Sequence, residues 1–323
     1  MKQPPLARAA IGIDVGGTKV LGVLADTDGQ VIEERRVPTP GRGDDLVQAI
    51  CAVARALDPG SVPALPVGVG APGLVDGGGA VRFSPNLPGA AGLDHQGLVK
   101  AELGEREVLV DNDANCAGWA EARAGAARGA RHALMVTLGT GIGGGILSDG
   151  RMMRGASGFA GEIGHLVVDP SGPLCPCGRS GCWERYASGS GLGRLAREAA
   201  HAGRSLRLLE LAGGDPEAVR GEHVTAAAAE ADPGAVDVFE RFAWWLAMGL
   251  ANLANALDPE VIVIGGGLVE AGDLLLEPTR RQLGRLIEAG SLRPEVRVLP
   301  AGLGEHAGAV GAALLALEAA GDR

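Results

Sequence analysis

The chain has 323 residues, 46% of them hydrophobic, which is enough apolar material for two ordinary domains with a sizeable core. Its formal net charge of −10 argues against nucleic acid as the main partner, because phosphate contacts need concentrated Lys and Arg. The segment before Ile11 lacks the apolar core of a signal peptide, and the longest uncharged apolar stretch, 243–257, is too short to span a bilayer and carries Asn252 and Asn255. A cytoplasmic protein with no membrane partner is expected.

In chain order, residues 11–25 read IGIDVGGTKVLGVLA: an apolar run, a Gly-Gly-Thr-Lys turn and a second apolar run. Asp28-Gly29 and the strand-like Val31-Ile32 follow, so a β-meander opens the chain. Asp44–Leu57 predicts an amphipathic helix with Leu46, Ile50, Val53 and Leu57 on one stripe and Asp44 or Asp45 as its cap. Leu65–Val69 and Glu107–Val110 read as buried strands, and Ala114–Ala124 as a helix. The opening scheme then recurs from Ala133: ALMVTL, a glycine turn, GIL and Asp149-Gly150. That separation is far longer than a solenoid repeat, and a duplicated domain explains it. Gly234–Leu257 predicts a long helix stopped by Asp258-Pro259. Val261–Ile264 and Arg297–Leu299 predict strands, and His306–Leu317 an apolar closing helix. The expected fold class is α/β, with two lobes facing each other across a cleft: residues 1–113, with the helix of about 306–323 packing back on them, and residues 114–305, carrying a metal loop.

Three glycine turns follow strands: Gly16, Gly17, Thr18 and Lys19; Gly139, Thr140 and Gly141; and Gly265, Gly266 and Gly267. Such turns offer backbone N–H groups to phosphate oxygens with no side chain in the way. The runs Gly68–Gly73 and Gly139–Gly144 fit G-x-G-x-x-G, but each leads into another hairpin rather than the helix a dinucleotide fold requires. There is no Walker A sequence. The pattern favours a nucleotide triphosphate over a nicotinamide.

His165, Cys175, Cys177 and Cys182 give the spacing H-x9-C-x-C-x4-C, suited to tetrahedral Zn²⁺ with no open position for water. Such a zinc is structural. Cys51 and Cys116 fall on helices as small buried hydrophobes. Asn112 and Asp113 open a helix after a strand, where Asn and Asp commonly cap. The same place suits a catalytic carboxylate, which the helix N-terminus keeps ionised. Glu162 and His165 stand one helical turn apart, and Glu184 is held by the metal loop. With the amides of Asn86 and Asn112 they suit a polyol, each hydroxyl of which both donates and accepts.

Together IGIDVGGTK, VGVGAPGLVD, DNDAN, LGTGIGGG, GEIGH followed by C-x-C-G-x-x-G-C-x-E, and LDPEVIVIGGG resemble the ROK family of sugar kinases and sugar-responsive repressors, from about residue 10 to residue 317. The resemblance implies the two-lobed actin-like ATPase (ribonuclease H-like) fold. It implies Asp113 as catalytic base, a sugar held by Asn86, Asn112, Glu162, His165 and Glu184, and zinc on the Cys3His set. It implies ATP with Mg²⁺ against Asp14 and the three glycine turns, and a homodimer or homotetramer. FSPNLPG at 83–89 is most similar to the bacterial glucokinases of the family, which implies glucose 6-phosphate as product. Gly89-Ala90-Ala91-Gly92 departs from the aromatic that many relatives carry there, so fructose or an N-acetylhexosamine stands as an alternative. A repressor would need a helix-turn-helix before the first glycine turn; the ten residues before Ile11 include Pro4-Pro5, and a repressor is not expected.

Overall fold

The computed structural model describes residues 9–60, 64–85, 87–104 and 106–321. The chain begins with strands β1 (Ala9–Val15), β2 (Lys19–Asp26) and β3 (Val31–Pro38), then helix α1 (Gly43–Leu57) and β4 (Val67–Ala71). Three short strands, β5 (Leu74–Val75), β6 (Ala80–Phe83) and β7 (Leu93–Asp94), form a small sheet of their own. Helix α2 (His95–Leu103), β8 (Val108–Asn112) and α3 (Asp113–Arg123) follow.

The first large sheet runs in the order β3-β2-β1-β4-β8. The predicted meander pairs antiparallel, with Ile11 opposite Leu24. β4 and β8 add in parallel, with Ile13 opposite Val69 and Val69 opposite Val110. β1 and β4 are apolar almost throughout because both faces of the sheet are covered. On one face lies the stripe of α1; a Cβ at Gly22 would meet Val53 Cγ1 at 2.2 Å. On the other lies α10 (Ala307–Gly321), so close that a Cβ at Gly12 or Gly68 would fall 1.9 Å from a helix carbonyl oxygen, Ala309 or Ala312. The expected cap of α1 is corrected: the N-cap is Arg42, without a side-chain hydrogen bond. Asp44 and Asp45 instead occupy the first turn, where their charge meets the positive end of the helix.

Strands β9 (Ala133–Leu138), β10 (Ile142–Ser148) and β11 (Arg151–Met152) repeat the meander, and helices α4 (Glu184–Ala187), α5 (Gly189–His201), α6 (Leu206–Leu211), α7 (Gly221–Ala229) and α8 (Pro233–Leu257) follow. β12 (Val261–Gly265), α9 (Asp273–Leu286) and β13 (Arg297–Pro300) lead into α10. The second large sheet runs β11-β10-β9-β12-β13, the same strand order as the first, with β12 and β13 parallel. Helix α8 starts as its sequence dictates: Asp232 accepts from Ala235 N–H at 2.8 Å, Pro233 follows, and Asp258 ends the helix at φ 46°. No helix among the described residues is long and apolar enough to cross a membrane. The chain divides into two compact units. The first takes residues up to Met135, Gly144–Gly161 and those from Ala301 on; the second takes Val136–Gly143 and Glu162–Pro300.

Candidate active site and metal centre

The second unit assembles the sulfur and imidazole ligands. His165 ends a short 3-10 turn (Ile163–His165), and the loop carrying the three cysteines is closed by bridges between Leu174 and Ser180 and between Val167 and Cys182. The four ligand atoms all lie within 4.8 Å of one another. Cys177 Sγ stands 3.6 Å from Cys182 Sγ, and Cys175 Sγ stands 3.7 Å from His165 Nδ1. Tetrahedral zinc with Zn–S bonds of about 2.3 Å separates its ligand atoms by roughly 3.5–3.8 Å, so the cluster has the size and chemistry the ion needs. Burial resists ionisation of all three thiols; at Cys177 the backbone N–H of Arg179 and the neighbouring cysteines overcome it and bring the thiol down to about 7. Cys51 and Cys116 stand apart, each buried as a small hydrophobe.

The loop is fixed by Trp183, which lies between the last cysteine and Glu184. Its indole N–H donates to Trp245 O at 2.8 Å, and its ring packs where a Cβ at Gly249 of α8 would be 2.0 Å from Cε2. Glu184 therefore has a set direction. Its Oε1 accepts from Cys175 Sγ at 3.0 Å and lies 3.7 Å from His165 Nδ1, while its Oε2 fills the place a Cβ at Gly141 would take, 2.4 Å away. The other ring nitrogen of His165 is 3.8 Å from Glu162 Oε2. Burial pushes the Glu162 carboxyl above its usual range, and Glu184 adds to the effect against His165. Glu162, His165 and Glu184, expected together from the sequence, lie in one cluster.

Two glycine turns adjoin it within the same unit. The carbonyl of Gly139 accepts from Gly189 N–H, and that of Thr140 accepts from Ser190 Oγ, each at 2.8 Å, so both are bound to the start of α5. β12 ends at Gly265. Next, Gly266 adopts φ 80° with its Cα so near β9 that a Cβ would lie 2.4 Å from Leu138 O. Only glycine combines that φ with that approach, which sets the Gly265–Gly267 turn beside the residue preceding Gly139.

The first unit brings together Asp14, Gly16–Lys19, Asn112 and Asp113. The turn after β1 closes through Gly16 N–H to Lys19 O at 2.9 Å, and Thr39 Oγ1 donates to Gly16 O at 2.7 Å. The Lys19 ammonium is ion-paired with Glu305, which also accepts from Arg36 Nη2 at 2.6 Å; Lys19 and then Arg36 hold the Glu305 carboxyl down at about 2. Asn112 is the N-cap of α3: its Oδ1 accepts from Ala114 and Asn115 N–H, and its Nδ2 donates to Gly73 O at 3.0 Å. Asp113 starts that helix. A Cβ at Gly70 would sit 3.4 Å from Asp113 Cα and 3.6 Å from Asp14 Oδ1. Burial first, and the Asp113 charge second, push Asp14 up to about 7 against the pull of Lys19. Asn86 lies outside the described residues.

Sequence reasoning missed the brace behind this junction. Asp111, only 6% exposed, accepts from Arg154 Nε at 2.7 Å and from Asn115 Nδ2 at 2.9 Å. Its one local signal is the D-N-D alternation; Arg154 is 43 residues away, beyond any local pattern.

The ROK family model matches residues 10–319. The chain is 40% identical over 314 residues to a glucokinase of Streptomyces coelicolor, spanning 95% of this chain and 97% of that protein. It is 34% identical over 312 residues to an N-acetylmannosamine kinase of Escherichia fergusonii, spanning 95% and 97%. Among solved structures, a ROK family glucokinase from Streptomyces griseus in complex with glucose and AMPPNP superposes with a TM-score of 0.85 at 41% identity, over 96% of this chain and 99% of that one. The twice-used strand order is accordingly that of the actin-like ATPase fold. With matching strand order, metal-ligand spacing and a family match across nearly the whole sequence, this chain belongs to the ROK family.

Proposed function

We propose that the chain transfers the γ-phosphoryl group of ATP to a hydroxyl of glucose, giving glucose 6-phosphate. The observation that carries the reading is the position of Glu184. One of its oxygens lies 3.0 Å from Cys175 Sγ and the other lies against Gly141, which sets the carboxylate assigned to a sugar hydroxyl beside the turn assigned to phosphate. The S. griseus glucokinase with glucose and AMPPNP, at 41% identity, supports the same substrates.

Glu162, His165, Glu184 and Asn112 are assigned to sugar hydroxyls, as is Asn86 on sequence alone. Asp113 is assigned the proton of the attacking hydroxyl. The oxygen then forms its bond to the γ-phosphorus as the bond to the ADP oxygen breaks, and the proton passes to the Asp113 carboxylate. Asp14 and the turns at Gly16–Lys19, Gly139–Gly141 and Gly265–Gly267 are assigned to ATP with its Mg²⁺, where backbone N–H groups offset charge developing on the phosphoryl oxygens. Zinc on His165, Cys175, Cys177 and Cys182 supplies a cross-link and no reactive water, because all four positions belong to the protein.

A second reading, an N-acetylhexosamine as acceptor, is favoured by the 34% identity to an N-acetylmannosamine kinase. ADP release measured with glucose, fructose and N-acetylmannosamine separates the acceptors. Asp113→Asn is expected to lower turnover about 10²–10⁴-fold with the circular dichroism spectrum unchanged. Near-wild-type turnover in that variant removes Asp113 from its role, and no ADP release with any hexose removes the kinase reading.

A further inference from the structure

Arg154 has no part in the chemistry assigned above, yet its guanidinium ends at the β8–α3 junction that carries Asp113. Its place is set by its backbone. The β10–β11 ladder extends to Met153, whose N–H donates to Ile146 O at 2.8 Å. Gly145 of β10 lies so close to α3 that a Cβ would be 2.6 Å from Ala114 O. Beyond the ladder, Arg154 O accepts from Ala160 N–H at 3.0 Å. The loop closed in this way packs on the end of β5: at Gly158, with φ 95°, a Cβ would lie 2.7 Å from Val75 O. Arg154 is thus held on both sides of its Cα, and is not a surface arginine free to swing.

Asp111 turns that contact into a constraint on Asp113. Its Oδ2 accepts from Arg154 Nε at 2.7 Å. Its Oδ1 accepts from Asn112 N–H at 2.7 Å and from Asn115 Nδ2 at 2.9 Å. One carboxylate therefore grips the residue before Asp113 and the residue two after it. Within the same stretch, Asp113 Oδ1 accepts from Ala114 N–H at 2.8 Å. An ion pair between exposed groups contributes little. Here the Asp111 side chain is buried, and loss of its cation would leave a charge that water reaches poorly. Neighbouring carboxylates would aggravate that loss. Burial first, then the charges of Asp111, Asp14 and Asp113, hold the Cys116 thiol well above its usual range, and Arg154 opposes them. Three negative groups converge on one buried point, and this guanidinium offsets them.

We propose that Arg154 is a positioning residue for Asp113: by pairing with Asp111 it fixes the strand-to-helix junction from both sides of Asp113 and neutralises the carboxylate two residues before it. The inference rests on Asp113 as the group that takes the hydroxyl proton. A base out of place costs turnover and leaves nucleotide binding alone.

The test compares kcat, the KM for ATP, the circular dichroism spectrum and Tm of full-length variants. Arg154→Gln should lower kcat about 10- to 100-fold, with the KM for ATP within about twofold and the spectrum unchanged. In an Asp113→Asn background, where the base is already gone, Arg154→Gln should cost no more than about twofold further, because groups that act as a unit are not additive. Arg154→Lys keeps the charge and changes the reach. Its kcat should lie between wild type and Arg154→Gln when Asp113 is present, and match its parent when Asp113 is absent. Wild-type kcat in Arg154→Gln with a lowered Tm would make the pair a structural brace only. Equal losses in both backgrounds would mean that Arg154 acts elsewhere. Either result overturns the proposal. Failure of the base assignment shows separately, as near-wild-type turnover in Asp113→Asn alone.

Discussion

At Asp14, burial sets stability against the Mg²⁺-ATP role proposed for it. Its carboxyl is raised from 3.8 to about 7, by burial and then by the Asp113 charge. An acid whose folded-state value lies above its unfolded value carries extra protons in the fold between the two, so stability falls as pH rises through that window and levels off above it. Asp14→Asn removes the ionised, repelled group. It is therefore expected to stabilise the protein relative to wild type at about pH 8 and to change it little at about pH 4, read from urea midpoints at both values. The same variant loses the carboxylate assigned to Mg²⁺-ATP, so the KM for ATP should rise about tenfold, the worth of one charge-assisted contact of about 1.4 kcal/mol. Equal destabilisation at both pH values would mean that Asp14 is held as an ordinary ion-paired carboxylate. At this scale the sequence was legible where neighbouring positions carry the pattern. Four candidate metal ligands within 18 positions stood out by spacing and residue type, and their ligand atoms lie within 4.8 Å of one another. The Asp111–Arg154 pair did not, because its geometry exists only once two distant segments have folded together.

The elements make a second kind of argument, about how closely backbones approach. Helix α10 rests on β1, β4 and α3 through small residues, and a Cβ at Gly311 would fall 1.7 Å from Cys116 O and 2.4 Å from Cys116 C. Backbone atoms cannot rotate away as a side chain can. Gly311→Ala should therefore destabilise by about 1–3 kcal/mol or more. In the same helix a Cβ at Gly321 meets nothing within 4 Å, and Gly321→Ala should be neutral or stabilise by up to about 1 kcal/mol. Equal denaturant midpoints for the two variants would show that α10 is free to shift outward. The metal loop is the other element with a definite test. Protein purified under reducing, chelator-free conditions should carry one zinc per chain, and Cys177→Ser should lower that stoichiometry and raise the KM for the sugar, since Glu184 follows the last ligand by two residues. Full sugar turnover in metal-free protein would refute a structural role. Long elements with a clear period (the two meanders, α1, α8 and α10) were legible in sequence to within a few residues. The hairpin expected after Gly68–Gly73 is there as β5 paired antiparallel with β6, whereas β7 and the short helices α4, α6 and α7 were not legible: segments of two to nine residues span too few periods for their face to show.

For the molecule as a whole, the repeated strand order is the largest feature the sequence made visible, because the duplicated glycine turn marks the same place in each copy. Acceptor choice depends on hydroxyl-scale differences; FSPNLPG pointed to glucose, and the 40% identity to a glucokinase agrees with it. Binding stabilises the entire folded chain by mass action, so acceptor identity can be read without any assumption about mechanism. A ligand at a hundred times its Kd adds about 2.7 kcal/mol, roughly a 5 °C rise in Tm for a chain of this size. If glucose is the acceptor, glucose should produce that shift at millimolar concentration, and N-acetylmannosamine at the same concentration should produce much less. The reverse order would transfer the assignment to the amino sugar while leaving Asp113, the glycine turns and the metal loop in their roles. A shift that persists undiminished in Glu184→Gln would instead detach the sugar from the metal loop, because that carboxylate is the group proposed to carry the loop's position to a hydroxyl.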